Sequence, residues 1–335
     1  MRDSSLPLVT FYLTERCNSR CVTCDYWRHG RNDATLESVL RVLPDLRRLN
    51  TRVALLSGGE PLLNPQWQAI AATLRNAGIK VWLLTSGLSL SKHAGAAATS
   101  FDSITVSLDG TRAATYQAIR GLDAFDKVCE GVRATVVRGA ALSLRVTLQR
   151  ANYRELPAFV LLARELGVRQ VSFLAVDVGN PHAFARTSAF GDGLALAACD
   201  LPLFAELIDA LERDHAREFH TGFIAESPAK LRRIHQYFAA LNGVDEFPPV
   251  RCNAPEFSAV IGVDARVAPC FFIPGTGVKT HGGLAAALAD ESMAGLRGAI
   301  RAGARSECAR CVCSMWRDPA TFAIDSFLLP ERQHA

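Results

Sequence analysis

Six short apolar runs alternate with stretches of helical periodicity through the first half of the chain, and this alternation limits the fold more than any other feature. The runs are Val9–Leu13, Val53–Ser57, Lys80–Thr85, Ser103–Ser107, Leu142–Leu148 and Gln170–Ala175. Helix-like stretches lie between them at Leu36–Leu49, Gln66–Ala77, Ala124–Arg138 and Glu155–Leu166. Gly78, Gly139 and Gly167 stand just past three of these, where a left-handed cap is wanted. Apolar strands alternating with helices predict a parallel sheet covered by helices. With polar motifs at the strand C-termini, the expected class is α/β, a partial (β/α)6 TIM-type barrel whose chemistry sits at that end.

Directly after the first run comes Cys17-x3-Cys21-x2-Cys24. Three thiolates on one tight loop suit three irons of a [4Fe–4S] cube, leaving the fourth iron for a ligand that is not protein. The alternative, structural zinc, wants a fourth Cys or His in finger spacing. The second run empties into Ser57-Gly58-Gly59-Glu60-Pro61, where glycine lets backbone approach a ligand closely. The third ends in Thr85-Ser86-Gly87. The fourth ends in Ser107-Leu108-Asp109-Gly110, followed by Tyr116, Ile119-Arg120-Gly121 and Phe125.

Together these strings resemble the radical S-adenosylmethionine (SAM) superfamily. The resemblance implies that Cys17, Cys21 and Cys24 hold a [4Fe–4S] cluster. It also implies that Gly58, Gly59, Glu60 and Pro61 bind the methionine ammonium of SAM, with Ser86 in the place of the family's Asn. Thr85 and Ser86 form that turn, and Ser107 and Arg120 are expected at the ribose or methionine part. Thr23 departs from the aromatic that many members place before the third cysteine.

At 335 residues, 49% hydrophobic and 21% charged, the chain can bury a substantial core. A net charge of +4 with no Lys/Arg run gives no nucleic-acid footprint. The first run leaves no room for a signal peptide, and no stretch approaches a membrane span of roughly 18 residues. Ten cysteines without a signal point to metal in a reducing cytoplasm.

The composition shifts at Asp177-Val178-Gly179-Asn180-Pro181-His182. Two amphipathic helices are expected next, one carrying Leu203, Phe204, Leu207, Ile208 and Leu211. The other carries Leu231, Ile234, Tyr237, Phe238 and Leu241, after an N-cap at Ser227-Pro228. The expected organisation is a barrel over 1–180, a helical cap over 181–249 and an iron–sulfur domain over 250–325.

Cys252 and Cys270 are separated by 17 residues, and Cys308-x2-Cys311-x-Cys313 follows. Val260 to Pro269 reads as a hairpin turning near Asp264-Ala265. This layout resembles the twitch half of the SPASM extension, and implies one auxiliary [4Fe–4S] cluster on Cys252, Cys270, Cys308 and Cys311. Cys313 is left over and could exchange roles with Cys311; four-cysteine zinc is the alternative. Cys129 and Cys199 are expected as buried core thiols.

The resemblance implies reductive cleavage of SAM to a 5′-deoxyadenosyl radical and hydrogen abstraction from substrate. A flavodoxin- or ferredoxin-type protein would donate the electron. A fully ligated auxiliary cluster suits an electron acceptor, hence net oxidation, with Asp177 as the base that collects the proton. The layout is similar to that of the twitch-bearing 2-deoxy-scyllo-inosamine dehydrogenases, which implies a small polar metabolite as substrate. Peptide modification is the second reading, and the molybdopterin-pathway cyclases are a third relative. A non-catalytic iron–sulfur protein is the alternative of another class.

Overall fold

The computed structural model describes residues 5–186 and 193–318. Its strands are β1 (Leu8–Thr14), β2 (Val53–Gly58), β3 (Lys80–Thr85), β4 (Ser103–Ser107), β5 (Leu142–Leu148), β6 (Gln170–Ala175), β7 (Ser258–Ile261) and β8 (Val267–Ala268). They form one eight-stranded sheet in the order β6-β5-β4-β3-β2-β1-β7-β8. The first six are mutually parallel, and helices over Leu36–Arg48, Trp67–Asn76, Leu90–Ser100, Phe125–Val136 and Leu156–Glu165 cross between them. This is the expected partial barrel.

Alternation along the strands divides the core in two. Val9, Phe11, Leu13, Ala54, Leu56, Val81, Leu83, Ile104 and Val106 join one large cluster with the helices. Leu8 and Val53, with Leu55 and Trp82 against them, turn to the other face and meet Ala254 and Phe257 from the C-terminal part. Further along that inner face the residues become polar. Thr105 Oγ1 lies 3.2 Å from Ser143 Oγ, and Arg145 Nε donates to Ser172 Oγ at 3.4 Å.

Two features lay outside the sequence expectation. The hairpin forms no sheet of its own: β7 pairs in parallel with β1 and turns antiparallel into β8. A partial barrel leaves the far edge of β1 open, and β7 satisfies its backbone groups. The opposite edge, β6, is met by Phe223–Ala225, where Val171 N donates to Phe223 O and Ala225 N to Val171 O. The hairpin turn falls as expected, with Ala265 at φ 66° in the left-handed region that usually selects glycine.

Helices Leu201–Asp214 and Pro228–Leu241 form on the expected residues and pack through Phe204 and Phe238, ring centroids 6.2 Å apart. Gly78, Gly139 and Gly167 take positive φ after their helices. Cys129 is buried in its helix, but Cys199 is exposed. It stands on a single turn, Ala198–Asp200, whose buried member is Asp200, held by the Tyr153 hydroxyl at 2.8 Å and Arg150 at 3.0 Å. Among the described residues no helix is long and apolar enough to cross a membrane.

Candidate functional site

The cysteine loop is fixed at its root. β1 bulges against β2 between Tyr12 and Thr14, and the chain then turns over the ends of the strands. Arg16 donates to Asp33 Oδ2 at 2.6 Å and to Leu63 O at 2.7 Å. Glu15 Oε2 accepts from Arg31 N and from both the backbone and side-chain nitrogens of Asn32. The loop carrying Cys17, Cys21 and Cys24 is thus closed at both ends by its own chain.

The two glycines of the second motif serve this loop. Gly59 N donates to Thr14 O and Glu60 N to Arg16 O, both at 2.8 Å. A Cβ on Gly59 would stand 2.1 Å from Arg16 O, and one on Gly58 2.6 Å from Thr14 O. The close approach that requires glycine is therefore to the residues just ahead of Cys17. Pro61 then opens a single 3-10 turn.

Glu60 is fully buried, and its carboxylate joins the ends of β2 and β3. Oε1 accepts from Thr85 Oγ1 at 2.7 Å and from Leu62 N at 3.2 Å. Oε2 accepts from Ser86 N at 2.7 Å and Ser86 Oγ at 2.6 Å. Ser86 Oγ also lies 3.2 Å from Asn18 Oδ1, and Asn18 Nδ2 donates to Ser89, so the cysteine loop reaches the Thr85-Ser86 turn directly. Each oxygen of Glu60 already accepts two bonds from the chain, which sequence reasoning had reserved for a ligand.

Arg120, expected beside SAM, is spent within the protein. It is buried, pairs with Asp109 at 3.0 Å, donates to Ser107 O at 2.6 Å and to Cys21 Sγ at 3.2 Å. Burial pushes the Cys17 thiol to about 11 and the Cys24 thiol to about 12.

Cys252, Cys270, Cys308, Cys311 and Cys313 all line one cavity of about 50 Å³ beneath β1 and β7, with Leu8, Thr10 and Val260 in its wall. The C-terminal segment closes it: Met315 N donates to Cys252 Sγ at 3.4 Å and Asn253 Nδ2 to Arg317 O at 2.7 Å. Burial raises Cys270 to about 11 and also raises Cys308, Cys311 and Cys313. The charged neighbours differ, however. Cys311 feels Cys313, Cys252 and Cys270, whereas Cys313 feels Arg145, Lys230 and Asp177 of the barrel end besides Cys252.

Among the described residues no three His, Cys, Asp or Glu side chains converge on the position of a single metal ion. The downstream thiols instead surround a space.

Tyr12, inward on β1, stands between the two cysteine sets. Cys24 and Cys270 both act on its hydroxyl, and its ring centroid lies 5.9 Å from that of Tyr26 and 6.2 Å from that of Phe271. Asp177, expected as a base, is buried. Its Oδ1 accepts from Gly179 N at 3.0 Å and Asn180 N at 2.9 Å, with Arg186 Nη1 3.6 Å away. Those are the contacts of a turn former. The same turn donates from Asn180 Nδ2 to Phe272 O at 2.7 Å, tying the end of β6 to the segment after Cys270.

Sequence reasoning missed two charged groups here. Arg145 is the charged member of the polar positions in the strict alternation Leu-Ser-Leu-Arg-Val-Thr-Leu of β5, a legible signal. Glu226 accepts from Phe173 N at 2.6 Å and lies 3.9 Å from Lys230; burial raises its carboxyl above the ordinary range. It follows a segment whose pairing with β6 has no sequence signature.

The profile of the Radical SAM superfamily matches residues 11–171. A pre-heme d1 synthase of Dinoroseobacter shibae is 32% identical over 231 residues, covering 66% of this chain and 56% of the relative. A PqqA peptide cyclase of Streptomyces rochei is 30% identical over 216 residues, covering 63% of this chain and 56% of the relative. The chain spans about half the length of the curated relatives it matches. Among solved structures, Streptococcus suis SuiB bound to its precursor peptide SuiA superposes with a TM-score of 0.68 at 16% identity, covering 93% of this chain and 71% of SuiB.

Proposed function

We propose, for a chain whose residues 11–171 belong to the radical SAM superfamily, that it oxidises a small polar metabolite with SAM and two iron–sulfur clusters. Cys17, Cys21 and Cys24 would hold the SAM-binding [4Fe–4S] cluster. A twitch-like C-terminal part would hold an auxiliary one through Cys252, Cys270, Cys308 and Cys311. When bound, the cluster and SAM supply reductive cleavage of the sulfonium and hydrogen abstraction from substrate.

The chain's own residues prepare that chemistry. Arg120 donates to the Cys21 sulfur and so fixes that side chain on the loop. Glu60 holds Thr85 and Ser86 beside the cysteine loop and Arg120 holds the carbonyl of Ser107, so these strand ends are fixed before a ligand arrives. Thr105, Ser143, Arg145 and Ser172 give the inner face hydroxyls and a cation of the kind a polar substrate wants. Asp177 and Glu226 are the carboxyl groups proposed to collect a proton. The single observation that carries the reading is the gathering of five cysteines around one cavity under the same sheet that bears the triplet.

Likeness to the PqqA peptide cyclase favours a second reading, modification of a peptide by the same machinery. Neighbouring genes separate the two: sugar transferases and aminotransferases favour the metabolite, a short precursor gene the peptide.

Anaerobically reconstituted protein is expected to carry about eight irons per chain, and replacing Cys17, Cys21 and Cys24 with Ala to leave about four while abolishing 5′-deoxyadenosine formation. Four irons with one zinc would remove the auxiliary cluster from the reading. Continued SAM cleavage by the triple variant would remove the triplet.

A further inference from the structure

Apart from its thiols, the cavity that gathers the five downstream cysteines has an almost wholly apolar wall, including Leu8, Val260, Phe272, Ile273 and Ile300. Thr10 and Ser258 add hydroxyls, and Ser258 spends its own on Ala254 O at 2.8 Å. Among the described residues that line the cavity, Glu307 alone carries a carboxylate.

Glu307 immediately precedes Cys308 on the single turn Ser306–Ala309, and its side chain is only 15% exposed. Arg305, two residues earlier, places Nη2 2.5 Å from Glu307 Oε1. Both charges act on Cys308, in opposite directions. His182 also acts on Glu307, from the turn after β6. Arg145, Lys230 and Asp177 act on Cys313 but do not line the cavity.

A cube held by four thiolates gains one negative charge on reduction, so a neighbouring carboxylate opposes reduction and a guanidinium favours it. Apolar walls leave such charges poorly screened. We propose that Glu307 sets the reduction potential of the auxiliary cluster and holds it low, with Arg305 limiting the effect. This rests on the auxiliary-cluster reading above and adds to it the residue that governs how readily that cluster takes an electron. A merely structural role for the pair, bracing the turn Ser306–Ala309, would not make the two charges act with opposite sign.

The test is a redox titration of the fully loaded chain followed by electron paramagnetic resonance. The signal that persists when Cys17, Cys21 and Cys24 are replaced by Ala belongs to the auxiliary cluster. Glu307→Gln is expected to raise its midpoint by about 59 mV, a tenfold change in a one-electron equilibrium. Arg305→Met is expected to lower it, because the carboxylate then acts unopposed. The double variant should fall between the two, and all three should keep about eight irons.

Unchanged midpoints in both single variants, or shifts of the same sign, overturn the proposal and leave the pair a brace for its turn. Loss of about four irons from Glu307→Gln makes the carboxylate a ligand and overturns it too. If Glu307→Gln does not fold, Arg305→Met decides, and a raised or unchanged midpoint there overturns the proposal. A wild-type chain that loads only the triplet's cluster overturns the auxiliary-cluster reading instead.

Discussion

Arg120 places Nη1 3.2 Å from the sulfur of Cys21 while its Nε faces Asp109 Oδ2 at 3.0 Å, so one buried guanidinium joins the cysteine loop to the end of β4. The third arm, Nη2, donates to Ser107 O at 2.6 Å. Arg120→Met leaves Asp109 buried without its counter-charge, a loss of about 3–5 kcal/mol for a buried pair broken on one side. The denaturant midpoint should fall, and iron should leave the triplet faster against a chelator. Arg120→Lys should recover only part of either, since an ammonium cannot reach three partners in one fork. Unchanged stability and iron retention in Arg120→Met would show the guanidinium to be incidental.

Glu60 bonds Thr85 and Ser86 across the two strand ends, which changes what its substitution should do. Glu60→Gln keeps the size but turns one acceptor oxygen into a donor facing the Ser86 N–H. SAM affinity is expected to drop by about 1.5–3 kcal/mol, the range for a charge-assisted contact, with the iron count intact. Calorimetric binding on the reconstituted variant checks this, and wild-type affinity would dissociate Glu60 from the SAM site.

The barrel was legible because its signals are local. The runs now seen as β3 to β6 coincide with the observed strands residue for residue, since a parallel strand buried on the helix side writes its apolar positions into the sequence. The helix Leu90–Ser100 was not legible, because it packs Leu90, Ala94 and Ala97 and shows almost no contrast between its faces. The pairing of β7 with β1 could not be read either, being a contact between segments roughly 250 residues apart with no matching pattern. In the site, the sequence offers candidate residues but not their partners. Sequence motifs name Glu60, Arg120 and Asp177, whereas only coordinates show that all three already bond to the protein.

Glu155 ties the segment after β4 to the helix Leu156–Glu165 and gives the fold an acid-sensitive point. Burial alone would push its carboxyl up. Donors at Thr115 Oγ1, Thr111 N, Thr111 Oγ1 and Arg112 outweigh that and hold it below its ordinary value of 4.5. A depressed carboxyl stabilises the folded state fully above its unfolded value and loses the contribution as pH falls through the folded one. Wild-type stability should therefore decline as pH drops below 4.5, and Glu155→Gln should be less stable at pH 7 by about 1–3 kcal/mol with a shallower acid limb. Urea midpoints across pH decide it; parallel limbs in the two proteins would contradict the assignment.

The last prediction concerns the cysteine left over. Cys252 acts on both Cys311 and Cys313; Cys270 also acts on Cys311, and Arg145, Lys230 and Asp177 on Cys313. All five thiols line the same cavity, and the Cys-x2-Cys spacing of Cys308 and Cys311, the common chelating turn, favours Cys311 over Cys313 as the fourth donor. Cys313→Ala is therefore expected to keep about eight irons, and Cys311→Ala to keep about four, because a missing thiolate leaves one iron of the auxiliary cube open to solvent. Both variants should still form 5′-deoxyadenosine, since the triplet is untouched. Iron counts on the pair of variants are decisive: loss in Cys313→Ala with retention in Cys311→Ala reverses the ligand set. Loss in both would mean that the two sulfurs share the work of holding the cluster in place.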